Sequence, residues 1–386
     1  MKKITILTLL IALCLTSPVY AKTEPPTIQS KAAILMNANN GKILYSHKEN
    51  DVFDAASLTK IMSLHLGFDA ISKGDMKEDE LITASRKANN TGGSKMWIEA
   101  GQTYPAIEIL KGITIVSGND ASVALAEHMS GSTEAFVTEM NQKAKELGMD
   151  QTNFITPHGL GEDKTTASDL SKLAYSYISH HSDRLAIHSE AQYSTKDRLV
   201  GEIVQYNQNP LIINKYEGAD GLKTGFINGL FNFVGTAKRD GLRLIVVTLG
   251  AENASARYQD ATRLLNYGFN QYETVSFGTQ GDPVVDLTVY KAKDSLATNV
   301  VLESDLSLVA HVDDVDQIEV TDDVPDFITA PREIGEVIGK RIVKLGDETY
   351  TANIVMTENL EKAGFWRSIF DTVSMVFAKI LSFIFG

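Results

Sequence analysis

The sequence holds one cysteine in 386 residues, Cys14. It lies in a segment expected to be removed, and Leu13 before it is not the small residue of a lipoprotein acceptor. The rest of the chain has no thiol, which excludes disulfides and cysteine nucleophiles. Positive charge is scarce as well. Lys and Arg number 36 against 49 Asp and Glu, for a formal net charge of −13, so nucleic acid is not an expected partner. Metal signatures are also missing. None of the 8 histidines forms a His-Glu-x-x-His, and His180-His181 reads as a polar loop. Asp313, Asp314 and Asp316 cluster without the glycine and distal glutamate of a calcium loop. No metal and no cofactor is expected.

The first 21 residues read as an export signal. Lys2 and Lys3 precede an apolar run, Ile4 to Leu15, too short to span a bilayer, and Val19-Tyr20-Ala21 is a suitable cleavage site. The expected divisions are a signal peptide over 1–21, a catalytic domain over 22–276, a small all-β domain over 277–360 and an amphipathic helix over 361–386.

Ala32 to Ser46 reads as a β-hairpin turning at Asn39-Asn40-Gly41, and Phe231 to Leu249 as two long strands joined at Asp240-Gly241. Helices are expected from about Ser57 to Gly74 and from Phe136 to Leu147. A further one is expected over Leu170 to Ile178, capped by Ser168, and another over Arg257 to Tyr267, stopped by Gly268. Strands at both ends of a helical stretch suggest one sheet with helices packed around it, an α/β (α+β) fold. Past Thr274 the pattern becomes short β runs separated by turns. From Phe365, the residues Phe365, Trp366, Ile369, Phe370, Val373, Val376 and Phe377 form a wide apolar face, with charges too frequent for a spanning helix. That pattern suits a helix lying in the membrane interface.

Ser57-Leu58-Thr59-Lys60 opens the first helix. Residues three apart share a helix face, so the hydroxyl and the amine are within reach of each other. Serine is a weak nucleophile until a base takes its proton, and lysine is such a base only if its pKa falls. Ser57 is the one serine in the chain with a lysine three residues on. Two further motifs each occur once, Ser117-Gly118-Asn119 and Lys223-Thr224-Gly225. The three, in this order, are the signatures of penicillin-recognising serine enzymes.

With Ala56-Ser57-Leu58-Thr59-Lys60-Ile61-Met62, Ser117-Gly118-Asn119-Asp120-Ala121, His158-Gly159-Leu160 and Asp220-Gly221-Leu222-Lys223-Thr224-Gly225, the chain resembles the low-molecular-mass D-alanyl-D-alanine carboxypeptidases. The resemblance implies an α/β catalytic domain of the transpeptidase/β-lactamase kind, a small β domain, and a C-terminal helix holding the enzyme to the periplasmic face of the cytoplasmic membrane. It implies a peptidoglycan pentapeptide ending in D-Ala-D-Ala as substrate and β-lactams as inhibitors. Ser57 would be the nucleophile and Lys60 its base. Ser117 would relay the proton, and Asn119 would bond Lys60 or the substrate backbone. Lys223 and Thr224 would hold the terminal carboxylate, and Gly225 would let the strand approach the substrate. The backbone N–H groups of Ser57 and Phe226 would form the oxyanion hole. His158-Gly159-Leu160 reads equally as a cleft edge or as a structural turn.

A β-lactamase would need a glutamate for deacylation, and Glu162 lacks that pattern. A catalytically idle cell-wall scaffold would not need the intact motif set. One departure concerns the carboxylate. Many members of the resembled family carry a hydroxyl residue where Ile227 stands, and some an arginine where Glu252 falls. The carboxylate is then expected to be held weakly, unless Arg257 or the amide of Asn228 fills the role.

Overall fold

A computed structural model of the chain describes residues 24–197 and 201–385, without the side chains of 196–197 and 377–385. The expected signal peptide lies outside the described residues. The catalytic part is built on a five-stranded antiparallel sheet in the spatial order Ile43–His47, Ala32–Asn37, Leu242–Ala251, Leu230–Arg239, Ala219–Ile227. The N-terminal hairpin therefore lies beside strands more than 200 residues later, with Ala33 opposite Thr248.

Both expected hairpins form. Asp240 and Gly241 take φ of 45° and 81°, the left-handed pair that a two-residue turn needs. The edge strand Ala219–Ile227 was implied by the resemblance alone and not by the residue pattern. Its central residues are buried on both sides, so they carry no alternation of apolar and polar residues. Arg243 holds this strand, donating from its two terminal nitrogens to the two carboxylate oxygens of Asp220, each at 2.8 Å.

Alternate side chains point to opposite faces of a strand. Ala33, Leu35, Leu244 and Val246 pack on one face against Ala261, Leu264 and Leu265 of the helix Ala254–Gln271. Ile34, Met36, Ile245 and Val247 pack on the other against the main helical core. That core contains the helix Lys60–Lys73 and the helix Ala167–His181. Asp260, fully buried, accepts from Gln29 N, Ser30 N and Ser30 Oγ and fixes the start of the first strand to the last catalytic helix.

Three local expectations need correction. Gly268 does not stop its helix, which runs to Gln271. A Cβ there would lie 2.5 Å from Leu244 Cδ1 and 2.9 Å from Leu35 Cδ2, so this glycine lets helix and sheet come together. The helix Ala167–His181 is capped by Thr166, whose side chain accepts from Asp169 N, and not by Ser168. His180 and His181 are its last residues and not a loop, and His181 is buried.

The expected short β runs form a six-stranded sheet around its own core, which includes Val300, Val343 and Ile354. Asp313, Asp314 and Asp316 lie in a single 3-10 turn, Val312–Gln317. The terminal helix, Phe365–Phe385, docks through Asp371, whose Oδ2 accepts from Lys291 N at 2.6 Å. Phe365, Trp366 and Phe370 are 72%, 80% and 70% exposed, so its aromatic face is not spent on the protein's own core. No described helix is long and apolar enough to cross a membrane.

Candidate active site

Ser57 sits in a 3-10 turn, Ala56–Thr59, that runs directly into the helix beginning at Lys60. Ala56 before it adopts φ 50°, a conformation that non-glycine residues take at a cost and that recurs at functional sites. The turn presents Ser57 Oγ 2.8 Å from Lys60 Nζ. Lys60 is fully buried and its Nζ also lies 2.7 Å from the carbonyl oxygen of His158. Burial, and then the nearby Lys223, hold its pKa well below the ordinary lysine value, against opposing pulls from Asp163 and Asp120. A neutral amine donates to the His158 carbonyl and keeps a lone pair for the Ser57 hydroxyl proton.

The His158 segment is therefore part of the site through its backbone. Ser63 Oγ donates to Pro157 O at 2.6 Å, and Asp163 accepts from Ile155 N, Thr156 N and Thr156 Oγ1. Leu160 N donates to His158 Nδ1 at 3.0 Å. Burial and Lys60 push His158 down to about 4, so its ring is neutral at pH 7.

Ser117 stands between the helices Ala106–Ile115 and Asn119–Ser130, buried, at φ 62°. Asn119 does not bond Lys60. Its Nδ2 donates to Gly92 O at 2.7 Å, because the 92–94 loop crosses over it, and its Oδ1 is buried without a hydrogen-bond partner among the described residues. Asp120 holds the same loop. Its buried carboxylate accepts from Met96 N at 2.8 Å, Trp97 N at 2.9 Å and Ile98 N at 3.2 Å.

Lys223 and Thr224 are buried on the edge strand, and Lys223 Nζ lies 3.3 Å from Thr224 O. Burial, and then Arg257, push Lys223 down to about 7. A Cβ on Gly225 would lie 3.2 Å from Ala56 Cβ and 3.3 Å from Ala55 O. Gly225 thus lets the strand close on the turn Ala56–Thr59. Phe226 is exposed, its ring 4.6 Å from that of Phe231. Arg257 comes from the first turn of the helix after the sheet. It is mostly buried over the Phe231 ring, its Nε has no hydrogen-bond partner among the described residues, and burial pushes its pKa down to about 10. Asn228, the other alternative anchor, donates instead to Asp54 Oδ2.

Residues 19–253 match the family model described as D-alanyl-D-alanine carboxypeptidase. The chain belongs to that family. Residues 272–362 match a second model, penicillin-binding protein 5, C-terminal domain. The D-alanyl-D-alanine carboxypeptidase DacF of Bacillus subtilis is 33% identical over 348 residues, 89% of each chain. DacC of Escherichia coli is 31% identical over 365 residues, 92% of this chain and 90% of that one. Among solved structures, penicillin binding protein 5 of Haemophilus influenzae covers 88% of this chain and 100% of its own, at 28% identity and TM-score 0.69. Penicillin-binding protein D2 of Listeria monocytogenes, solved in its ampicillin-bound form, covers 63% of this chain and 100% of its own, at 30% identity and TM-score 0.57.

In this carboxypeptidase the sequence did not assign roles to Asp120 or Asp163, or to the backbone of His158 and Gly159. A lone acid gives no signal, because what matters is which backbone N–H groups it faces. Gly159 did give one, within the His158-Gly159-Leu160 segment read as a cleft edge or a turn, but its partner Ala56 could be named only from the fold.

Proposed function

We propose that the chain is a serine-type D-Ala-D-Ala carboxypeptidase that removes the terminal D-alanine of peptidoglycan pentapeptide through a Ser57 acyl-enzyme. The observation that carries this is the 2.8 Å separation of Ser57 Oγ from the Nζ of a fully buried Lys60. Lys60, as free amine, takes the Ser57 proton while Oγ attacks the carbonyl between the two D-alanines. The N–H groups of Ser57 and Phe226 receive the oxyanion. The proton passes by way of Ser117 to the amine of the departing D-alanine. Water then attacks the acyl-enzyme, gives a proton back through Lys60, and restores the serine. Lys223 and Thr224, with Arg257 behind them, attract the terminal carboxylate. The unpaired Oδ1 of Asn119 is available to a substrate N–H. The protein works outside the cytoplasm, at the periplasmic face of the inner membrane, with its terminal helix in the interface.

Penicillins acylate the same serine. A β-lactamase reading finds little support, since Glu162 is exposed and a deacylating glutamate works from within the site. Incubating the purified protein with a pentapeptide and measuring free D-alanine tests the function. Labelled penicillin should mark the wild type and not Ser57→Ala. Hydrolysed β-lactam without D-alanine release would indicate a lactamase, and absence of any turnover a scaffold.

A further inference from the structure

Further along the helix Lys60–Lys73, three ligand-type atoms converge. They are His65 Nδ1 and Asp69 Oδ1, one turn apart on the helix Lys60–Lys73, and His181 Nε2, at the end of the helix Ala167–His181. Their separations are 3.3 Å from His65 to Asp69, 2.9 Å from His181 to Asp69 and 3.2 Å from His65 to His181. Donor atoms held about 2.0–2.1 Å from one tetrahedral ion stand about 3.3 Å from each other, so the triangle already has nearly that edge length. Two imidazoles and one carboxylate are a donor set that suits zinc and its neighbours better than calcium or magnesium.

The surroundings fit the same reading. His65 Nε2 lies 2.8 Å from Ser176 Oγ. Ser176 can take the proton of that nitrogen, leaving Nδ1 with a lone pair, as the outer partner of a metal-bound histidine does. Asp69 Oδ2 faces Lys143 at 3.4 Å and Lys73 at 3.7 Å, which orients the carboxylate and leaves Oδ1 to the histidines. The His65 and His181 side chains are 0% and 2% exposed, whereas that of Asp69 is 14% exposed. The cluster is thus closed on the protein side and open at the carboxylate, where a water can complete four-coordination.

We propose that His65, Asp69 and His181 form a structural binding site for one zinc-class divalent cation, clamping the helix that carries Lys60 to the helix Ala167–His181. The ion takes no part in acyl transfer. It ties together two helices that otherwise meet through apolar packing and this hydrogen-bonded triad.

The test uses the untagged full chain, stripped with chelator and titrated with zinc chloride against a chromophoric competitor. Thermal unfolding is followed in parallel, and visible absorption after replacement of zinc by cobalt. The wild type should retain one equivalent of zinc, melt at higher temperature with it, and show the strong bands of tetrahedral cobalt. Asp69→Asn keeps the shape of the side chain and one acceptor oxygen while removing its charge, so it should fold and still label with penicillin while losing the retained metal and the thermal shift. His181→Ala should lose both as well. His128→Ala, at an exposed histidine pair with Glu80, should lose neither. A wild type that retains no zinc, or zinc retained equally by Asp69→Asn and His181→Ala, would overturn the proposal.

Discussion

Gly159 is pressed against Ala56. A Cβ on Gly159 would lie 1.7 Å from the Ala56 carbonyl oxygen, and Gly159 has φ +83°. The loop that supplies the hydrogen bond to Lys60 can therefore reach the nucleophile turn only with no side chain at this position. Gly159→Ala is expected to cost about 1–3 kcal/mol for the left-handed backbone alone, and to displace the His158 carbonyl. Penicillin acylation should fall about a hundredfold, the order of loss that follows a 1 Å misplacement. Acylation kinetics beside a thermal melt check this. A variant of wild-type rate would mean that the loop moves aside freely.

The second prediction concerns pH. Lys60 accepts the Ser57 proton only as the free amine, so activity falls as pH drops through its lowered pKa. Lys223 attracts a carboxylate only as the cation, so activity also falls as pH rises above about 7 and Lys223 titrates. The kcat/KM profile is expected to be bell-shaped. Lys223→Met removes one of the two causes that depress Lys60, so the acid limb should move to higher pH whatever happens to the amplitude. An acid limb that stays in place would show that Lys223 does not set the ionisation of Lys60.

Arg257 stands where the sequence left a gap. Ile227 offers no donor, and it lines a surface depression with Val52, Asp54 and Lys164, whereas Arg257 bears electrostatically on Lys223. Arg257→Gln should raise KM for D-Ala-D-Ala peptides, with a loss in kcat/KM worth about 1.5–3 kcal/mol, as for one hydrogen bond to a charged group. The alkaline limb should move up, because Lys223 loses a neighbouring cation. Ile227→Thr should raise peptide kcat/KM only modestly. If Ile227→Thr instead gives the large gain and Arg257→Gln no loss, the carboxylate is anchored from the strand end.

Asp120, buried at the start of the helix Asn119–Ser130, accepts from three backbone donors of 96–98. Asp120→Ala leaves those N–H groups unpaired. It should destabilise the protein by at least about 1.5–3 kcal/mol, with Asp120→Asn intermediate, as read by denaturant unfolding. Equal stability of all three proteins would mean that water replaces the carboxylate.

Removal of residues 365–386 should release the protein from lipid vesicles while penicillin acylation continues. Phe365, Trp366 and Phe370 are exposed in the intact chain, so little packing is lost with them. Cosedimentation of the shortened protein with vesicles would place the membrane contact elsewhere.

Much of this was legible because local chemistry announced it. Gly41 and Gly241 marked the hairpins, Gly74 closed its helix at φ 80°, and the Ser57–Lys60 spacing implied the contact that forms. What escaped depends on chain segments meeting at a distance. Gly268 reads as a stop signal until Leu244 and Leu35 are seen lying on it. His181 reads as a polar loop residue until its helix is packed beside His65. The Lys223 strand has no alternation because both its faces are covered.

The pairing of Ala32 with Leu249 has a consequence for biogenesis. The sheet cannot be completed until residues past Ala251 are available, and contacts of such sequence separation form slowly. Lys60 becomes a base only after His158 and Lys223 have enclosed it. A chain whose last strand is not yet in place carries Ser57 as an ordinary alcohol. Chemistry toward the wall, and vulnerability to antibiotic, both begin when the last strand arrives.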